Sequence, residues 1–363
     1  MRRVVVVGAS GNVGSCAGRH LGADGSEVVG VSRRVPREAD DASWQSCDIG
    51  GVNARVRLAE IFSGADAVVH AAWEIQPGRD LEQLYRTNVA GSQNIIDAAV
   101  AAGISTLVYV SSVGAYSPGP KHEVDESWPT EGIPTSTYAR HKAAVERMLD
   151  QLELDHPEIR VVRFRPGLVF QRGAASEIAR YFLGPYVPTS AIRRRLIPAV
   201  PSFSRLVFQV VHADDVGRAI AQAVANPDAR GAFNLAAGPV LDASRLASLL
   251  HAKKVPVPFQ LIRAAANAAF RARLTPTDAG WLDMAAAVPV MSTRRAREEL
   301  GWVPTRSSEE AFLELLDGMQ GGAGAATPPL TPAPDATGRL SEAAHAAMQG
   351  GPGSSNVSSS HRH

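Results

Sequence analysis

The chain has 363 residues, 45% hydrophobic and 20% charged, which supplies a sizeable core and room for more than one domain. A formal net charge of +1 provides no broad basic face, so no nucleic-acid partner is expected. No apolar run is long enough to cross a bilayer, Gly8 and Ser10 break the N-terminal run before it reaches signal-peptide length, and Cys16 and Cys47 lack metal-ligand spacing. The expectation is a cytoplasmic protein with reduced cysteines, no metal site and no membrane contact.

Residues 4–14 read V-V-V-V-G-A-S-G-N-V-G. Four β-branched residues suit a strand buried on both faces, and the pattern after the glycines (Ser15 to Leu21) is helical. Glycine permits the tight turn, lets a pyrophosphate approach the backbone and lets the helix lie against the strand. The free N–H groups of the helix start favour phosphate. Gly8, Ser10, Gly11, Asn12, Val13 and Gly14 are therefore candidate dinucleotide contacts.

A second strand, Glu27 to Ser32, closes the first βαβ unit at Ser32-Arg33-Arg34. A carboxylate there would accept bonds from both adenosine ribose hydroxyls, whereas two guanidinium groups beside a hydroxyl suit a 2′-phosphate. This favours NADP, with NAD as the alternative; a solvated basic turn is the plain structural reading. A third strand ends at Cys47-Asp48-Ile49, where Asp48 is placed to meet the adenine or to cap a helix. The strand Ala65 to Ala72 ends in small residues that let backbone pass close to a ligand, here at His70, Ala71 and Ala72. A lone histidine in such a strand also reads as a core residue. A long helical pattern from Leu81 to Ala102 contains Asn88, either a surface residue or, the favoured reading, a kink-forming group near the active site.

Thr106 to Ser111 forms a fifth strand that delivers Ser111 and Ser112 to the edge where open parallel sheets bind ligands. Tyr138 and Lys142, four apart in a helical run that ends near Leu152, share one face. An ammonium at that distance is expected to lower the phenol from about 10 toward the range of a general acid or base.

With these residues in view the chain resembles the extended short-chain dehydrogenase/reductase family, also called the NAD-dependent epimerase/dehydratase family, over residues 1–317. The resemblance rests on G-A-S-G-N-V-G at 8–14, D-I at 48–49, H-A-A at 70–72, T-N at 87–88, S-S at 111–112, Y-A-R-H-K at 138–142 and R-P-G at 165–167. It implies Tyr138 as catalytic acid/base, Lys142 as holder of the nicotinamide ribose, Ser112 as partner of the reacting oxygen, and Pro166 and Gly167 beside the nicotinamide. Ile49 and Asn88 join the implied cofactor contacts. Family dehydratases resemble one another in an Asp-Glu pair after the active-site hydroxyl residue, where this chain has Val113-Gly114, so elimination of water lacks its acid and base. Family epimerases usually carry an acidic residue after the second strand, which is absent here.

Strand Arg160 to Arg165 ends the core run, and a helix is predicted from Gly173 to Leu183 before breaks at Gly184-Pro185 and Pro188. Asp214 and Asp215 are expected to cap a helix reaching Ala225, followed by a strand over Ala232 to Leu235 and helices over most of Ala243 to Ala287. Thr293 to Leu300 with Gly301-Trp302 resembles the family's closing helix, and Ser307 to Met319 starts with capping chemistry. From Gly321 large apolar residues nearly vanish; a disordered tail is expected, with one helical stretch at Leu340 to Met348, and the closing His361-Arg362-His363 is too short for a metal site.

The expected fold is α/β: a doubly wound parallel (Rossmann) sheet over 1–165, a smaller α/β substrate lobe over 166–320 with segments returning to the core around 207–236, and the tail 321–363. The expected function is an NAD(P)-dependent oxidoreductase acting on a hydroxyl or carbonyl carbon of a small molecule. One alternative is a nucleotide-sugar epimerase whose Arg193, Arg194, Arg195 and Arg205 meet the diphosphate; another is a non-catalytic NADP-sensing regulator. Family likeness also implies a homodimer through the helices of 81–102 and 138–152.

Overall fold

The structure is a computed structural model, and it describes residues 1–36, 43–76, 78–182 and 197–331. Strand β1 (Arg3–Val7) sets its centre. Successive valines point to opposite faces, so Val4 and Val6 enter one buried cluster while Val5 and Val7 enter another. A strand apolar on both faces needs neighbours on both edges and helices above and below. It is followed by β2 (Glu27–Ser32), β3 (Trp44–Ser46), β4 (Ala67–His70), β5 (Thr106–Val110), the short β6 (Glu123–Val124), β7 (Arg160–Pro166), β8 (Leu168–Phe170), β9 (Ala199–Ser202), β10 (Val207–His212) and β11 (Gly231–Leu235). Seven strands form one sheet in the order β11-β7-β5-β4-β1-β2-β3, every pair parallel.

Helices α1 (Asn12–Ala23), α2 (Ala54–Phe62), α3 (Leu81–Tyr85), α4 (Gly91–Ala101), α5 (Thr137–Asp155), α6 (Ala175–Phe182) and α7 (Ala213–Ala225) connect these strands. One cluster packs α1 and α7 on one sheet face, and the other packs α2, α4 and α5 on the opposite face. The predicted helix over 81–102 is interrupted by one π turn, Arg86–Ala90. The C-terminal part adds β12 (Ala237–Asp242), α8 (Ala243–Leu250), β13 (Lys253–Pro256), α9 (Phe259–Arg271), α10 (Gly280–Ala287), β14 (Val290–Met291), α11 (Arg294–Leu300) and α12 (Ser308–Gln320).

Three local expectations change. The helical reading of 243–287 is broken by β13, whose backbone pairs with β9. Helix α7 is capped by His212, whose Nδ1 accepts the Asp214 N–H at 3.1 Å. Asp215 instead accepts the Thr305 hydroxyl at 2.7 Å, and its carbonyl takes the buried Trp302 indole N–H at 2.8 Å, tying the Gly301-Trp302 turn to the core. Residues 321–331, expected to be without structure, pack back onto the protein with Leu330 buried, because backbone bonds to α6 and α12 and one buried leucine offset their ordering. Gly184, Pro185, Pro188, Arg193–Arg195, 340–348 and 361–363 lie outside the described residues.

Helix α5 is locked to the sheet by an ion cluster. Glu146, fully buried, faces Arg165 of β7 at 3.0 Å and Arg163 at 3.2 Å, with Ser111 donating from the end of β5. Burial pushes the Glu146 carboxyl up, yet Arg165 and Arg163 outweigh it and hold the group below its ordinary 4.5. Its stabilisation is therefore complete above about pH 4.5 and is lost as the pH falls through the depressed folded value. Glu146→Gln should cost about 3 kcal/mol at pH 7, read by urea unfolding, because buried Arg165 loses its counter-charge while Arg163 keeps Asp150 and Glu153. The gap between variant and wild type should narrow as the pH falls below about 4.5 and toward the depressed folded value; a gap that stays constant with pH would show that the cluster is electrostatically idle.

Candidate active site

The turn from β1 into α1 is dictated by backbone crowding. Gly8 has φ +88°, and a Cβ there would lie 2.5 Å from the Ala72 nitrogen; a Cβ at Gly14 would collide with the Gly8 carbonyl. Helix α1 begins at Gly11 with no side-chain cap and no acid in its first turn, so its first N–H groups are left for a ligand. They border a cleft of about 300 Å³ at the C-terminal ends of β1, β2 and β4, lined by Gly8, Ser10, Gly11, Ser32, Arg33, Arg34, Ile49, Ala71 and Ala72. A glycine cradle at an uncapped helix start, with arginines at the end of β2, fits a dinucleotide.

Other expected contacts engage the protein itself. Asn12 turns its side chain to the Val169 carbonyl (3.1 Å), Val13 packs into the core, and exposed Asp48 accepts the Gly50 N–H at 3.1 Å. His70 is a core residue: its Nε2 sits 2.8 Å from the Ser92 hydroxyl, and burial lowers its pKa to about 3. Pro166 and Gly167 are buried at the β7 end, where the Gly167 N–H bonds the Leu235 carbonyl at 3.0 Å. Asn88, at the π turn, clamps the backbone of Glu74 with bonds of 2.8 and 2.7 Å, so its kink fixes the loop after β4.

Helix α5 starts at Ser136, whose hydroxyl accepts the Ala139 N–H, and this places Tyr138 in the first turn. Ser112 stands close enough to the Tyr138 hydroxyl to draw its pKa down, so the two groups expected to share the reacting oxygen are neighbours. Lys142 Nζ donates to the Val110 carbonyl at 2.8 Å. The expected depression of the phenol is not realised. Burial pushes Tyr138 up to about 12 against the opposing influence of nearby Ser112, while burial drives the Lys142 ammonium well below its usual range.

The reason is aromatic cover. Lys142 Nζ lies 3.6 Å from the centre of the Trp73 ring, and Trp73 and Trp281 stand 5.8 and 4.8 Å from the Tyr138 ring. Trp73 also lines the cleft, and its indole N–H is buried without a partner. Trp73 thus separates the cleft from the Ser112–Tyr138–Lys142 group. Glu74, next in sequence, is buried and pairs with Arg33 at 2.9 Å while accepting the Thr87 hydroxyl. Sequence reasoning missed both, although they directly follow His70-Ala71-Ala72. Glu146 was also findable, since 138, 142 and 146 recur at helical spacing. Trp281 carried no local signal. Among the epimerase candidates, Arg205 is engaged by the carbonyls of Ala286 and Gly119.

Among the described residues no helix is long and apolar enough to cross a membrane, and no cluster of three or more His, Cys, Asp or Glu is arranged for a metal. The uncharacterized protein Rv2047c of Mycobacterium tuberculosis is 26% identical over 321 residues, which is 88% of this chain; the chain spans about 30% of that relative's length. The dTDP-6-deoxy-L-talose 4-dehydrogenase (NAD(P)(+)) of Kitasatospora kifunensis is 26% identical over 331 residues, 86% of this chain and 94% of that enzyme. The UDP-glucose-4-epimerase of Stenotrophomonas maltophila, solved with bound NAD and formylated UDP-arabinopyranose, shares the fold with a TM-score of 0.65 at 20% identity, over 88% of this chain and 98% of that one. The sequence pattern of the NAD dependent epimerase/dehydratase family matches residues 4–236. Carried by that match and by the parallel sheet with its glycine turn, the conclusion is that this chain belongs to the NAD dependent epimerase/dehydratase family.

Proposed function

We propose that the protein is an NAD(P)-dependent oxidoreductase that interconverts a carbonyl and an alcohol on a small molecule. The observation that carries this reading is the juxtaposition of Tyr138 and Ser112, one helical turn from Lys142 and separated by a single indole from the glycine-lined cleft. A relative covered over 94% of its length is a dehydrogenase described as using NAD(P), which supports net oxidation or reduction.

The bound cofactor would supply or accept the hydride. The rest belongs to this chain. With its pKa pushed up to about 12 by burial, Tyr138 is a neutral phenol at physiological pH and suits the role of proton donor to a carbonyl oxygen. Ser112 would hold that oxygen, because its hydroxyl neighbours the phenol and is itself fixed by the Gly114 N–H at 3.0 Å. Trp73 and Trp281 exclude water around the reacting atoms, and Trp73 has to leave Lys142 before that ammonium can reach a ribose in the cleft. For the epimerase reading, Arg205 offers no support, since backbone carbonyls occupy it. The tyrosine–lysine pair weighs against a purely sensing role.

NADP is the preferred cofactor in this proposal. Arg33 and Arg34 line the cleft beside Ser32, and although Glu74 engages Arg33, that side chain stays half exposed.

Tyr138→Phe should lower turnover by about 100-fold or more, with NADP affinity within about twofold of wild type; substantial residual turnover would remove Tyr138 from the chemistry. Arg33→Ala with Arg34→Ala should weaken NADP about tenfold more than NAD, as measured by titration calorimetry. An unchanged ratio of the two affinities would refute the 2′-phosphate assignment.

A further inference from the structure

The cleft has a second cationic wall that the glycine motif does not anticipate. Beyond α12 the chain doubles back as a strap over residues 321–331: the Ala323 N–H bonds the Gly318 carbonyl at 2.8 Å, the Ser176 N–H of α6 bonds the Ala323 carbonyl at 3.2 Å, and the Ala325 N–H bonds the Leu330 carbonyl at 2.7 Å. A 3₁₀ turn, Pro328–Leu330, buries the Leu330 side chain. Arg180 of α6 reaches across to this strap, donating to the Thr331 carbonyl at 3.1 Å and the Pro329 carbonyl at 2.6 Å. Arg180 and Pro329 both line the cleft that begins at Gly8.

Two neutral carbonyls fix the direction of a guanidinium without cancelling its charge. The neighbouring carboxylate Glu177 lines the same cleft and feels the Arg180 charge, but it makes no direct ion pair with Arg180 and accepts the Tyr181 hydroxyl at 2.7 Å, while burial raises its pKa. The glycine turn itself presents only neutral N–H dipoles, and Arg33 is committed in part to Glu74. A dinucleotide brings two phosphate charges into this space, and a pre-oriented guanidinium is the group best suited to meet them.

We infer that Arg180 binds a phosphate of the dinucleotide and that residues 321–331 are the strap that positions it. The inference rests on the cofactor reading above. It gives the segment after α12 a function in cofactor affinity, and it links loosening of the strap to cofactor release.

The test compares wild type with Arg180→Met, Arg180→Lys and Leu330→Ala, all confirmed as folded by thermal melting. NAD and ADP-ribose are titrated by calorimetry, and adenosine, which lacks phosphate, by NMR. Arg180→Met should weaken NAD and ADP-ribose about tenfold or more while adenosine stays within about twofold, and Arg180→Lys should recover part of the loss. Leu330→Ala, with Arg180 intact, should weaken ADP-ribose several-fold. Wild-type ADP-ribose affinity in Arg180→Met, or an equal loss for adenosine, would overturn the inference and leave the cofactor reading standing. Failure of the wild type to bind NAD would overturn both.

Discussion

One buried carboxylate governs the geometry of Tyr138, Lys142 and the Ser111-Ser112 strand end. Glu146 sits two turns along α5 from Tyr138 and one from Lys142, and it is gripped by Arg163 and Arg165 from β7 and by Ser111 from the end of β5. A buried charge is tolerated only when its partners are close and fixed, so the cluster admits one placement of α5 against the sheet. The phenol, the ammonium and the Ser111-Ser112 strand end therefore share one rigid frame.

The second constraint is purely steric. The β1 turn has no room for side chains at Gly8 or Gly14, since the backbones of Ala72 and Gly8 fill that space. The same close packing brings the end of β4 alongside the turn, and the two residues after Ala72 are then decisive. Trp73 covers Lys142, and Glu74 reaches Arg33. Cleft and chemistry are in this way neighbours separated by one side chain, and the pKa values follow: a phenol and an amine shut away from water both shift toward their neutral forms.

Most of the frame was legible in the sequence because it is local. The valine run, the glycine spacing, the Ser-Ser strand end and the Tyr138–Lys142 spacing each follow from one period or one turn. A kink at Asn88 was one of two readings the sequence offered, and its π geometry was not legible. What escaped depends on contacts distant in sequence. That His70 faces Ser92, that Asp215 binds the Thr305 turn, and that Arg180 meets the carbonyls of Pro329 and Thr331 are outcomes of packing. Composition misled at 321–331, where one buried leucine and a few backbone bonds outweigh a run of small residues. The electrostatic expectation for Tyr138 misled because spacing reports proximity but not the ring inserted above the amine.

The most direct measurement is a crystal structure of the protein grown with NAD or NADP. The account requires dinucleotide density running from the Gly8–Gly11 turn toward α5, with the Trp73 indole displaced from Lys142. A dinucleotide bound elsewhere, or one seated in the cleft while Trp73 still covers Lys142, would contradict it.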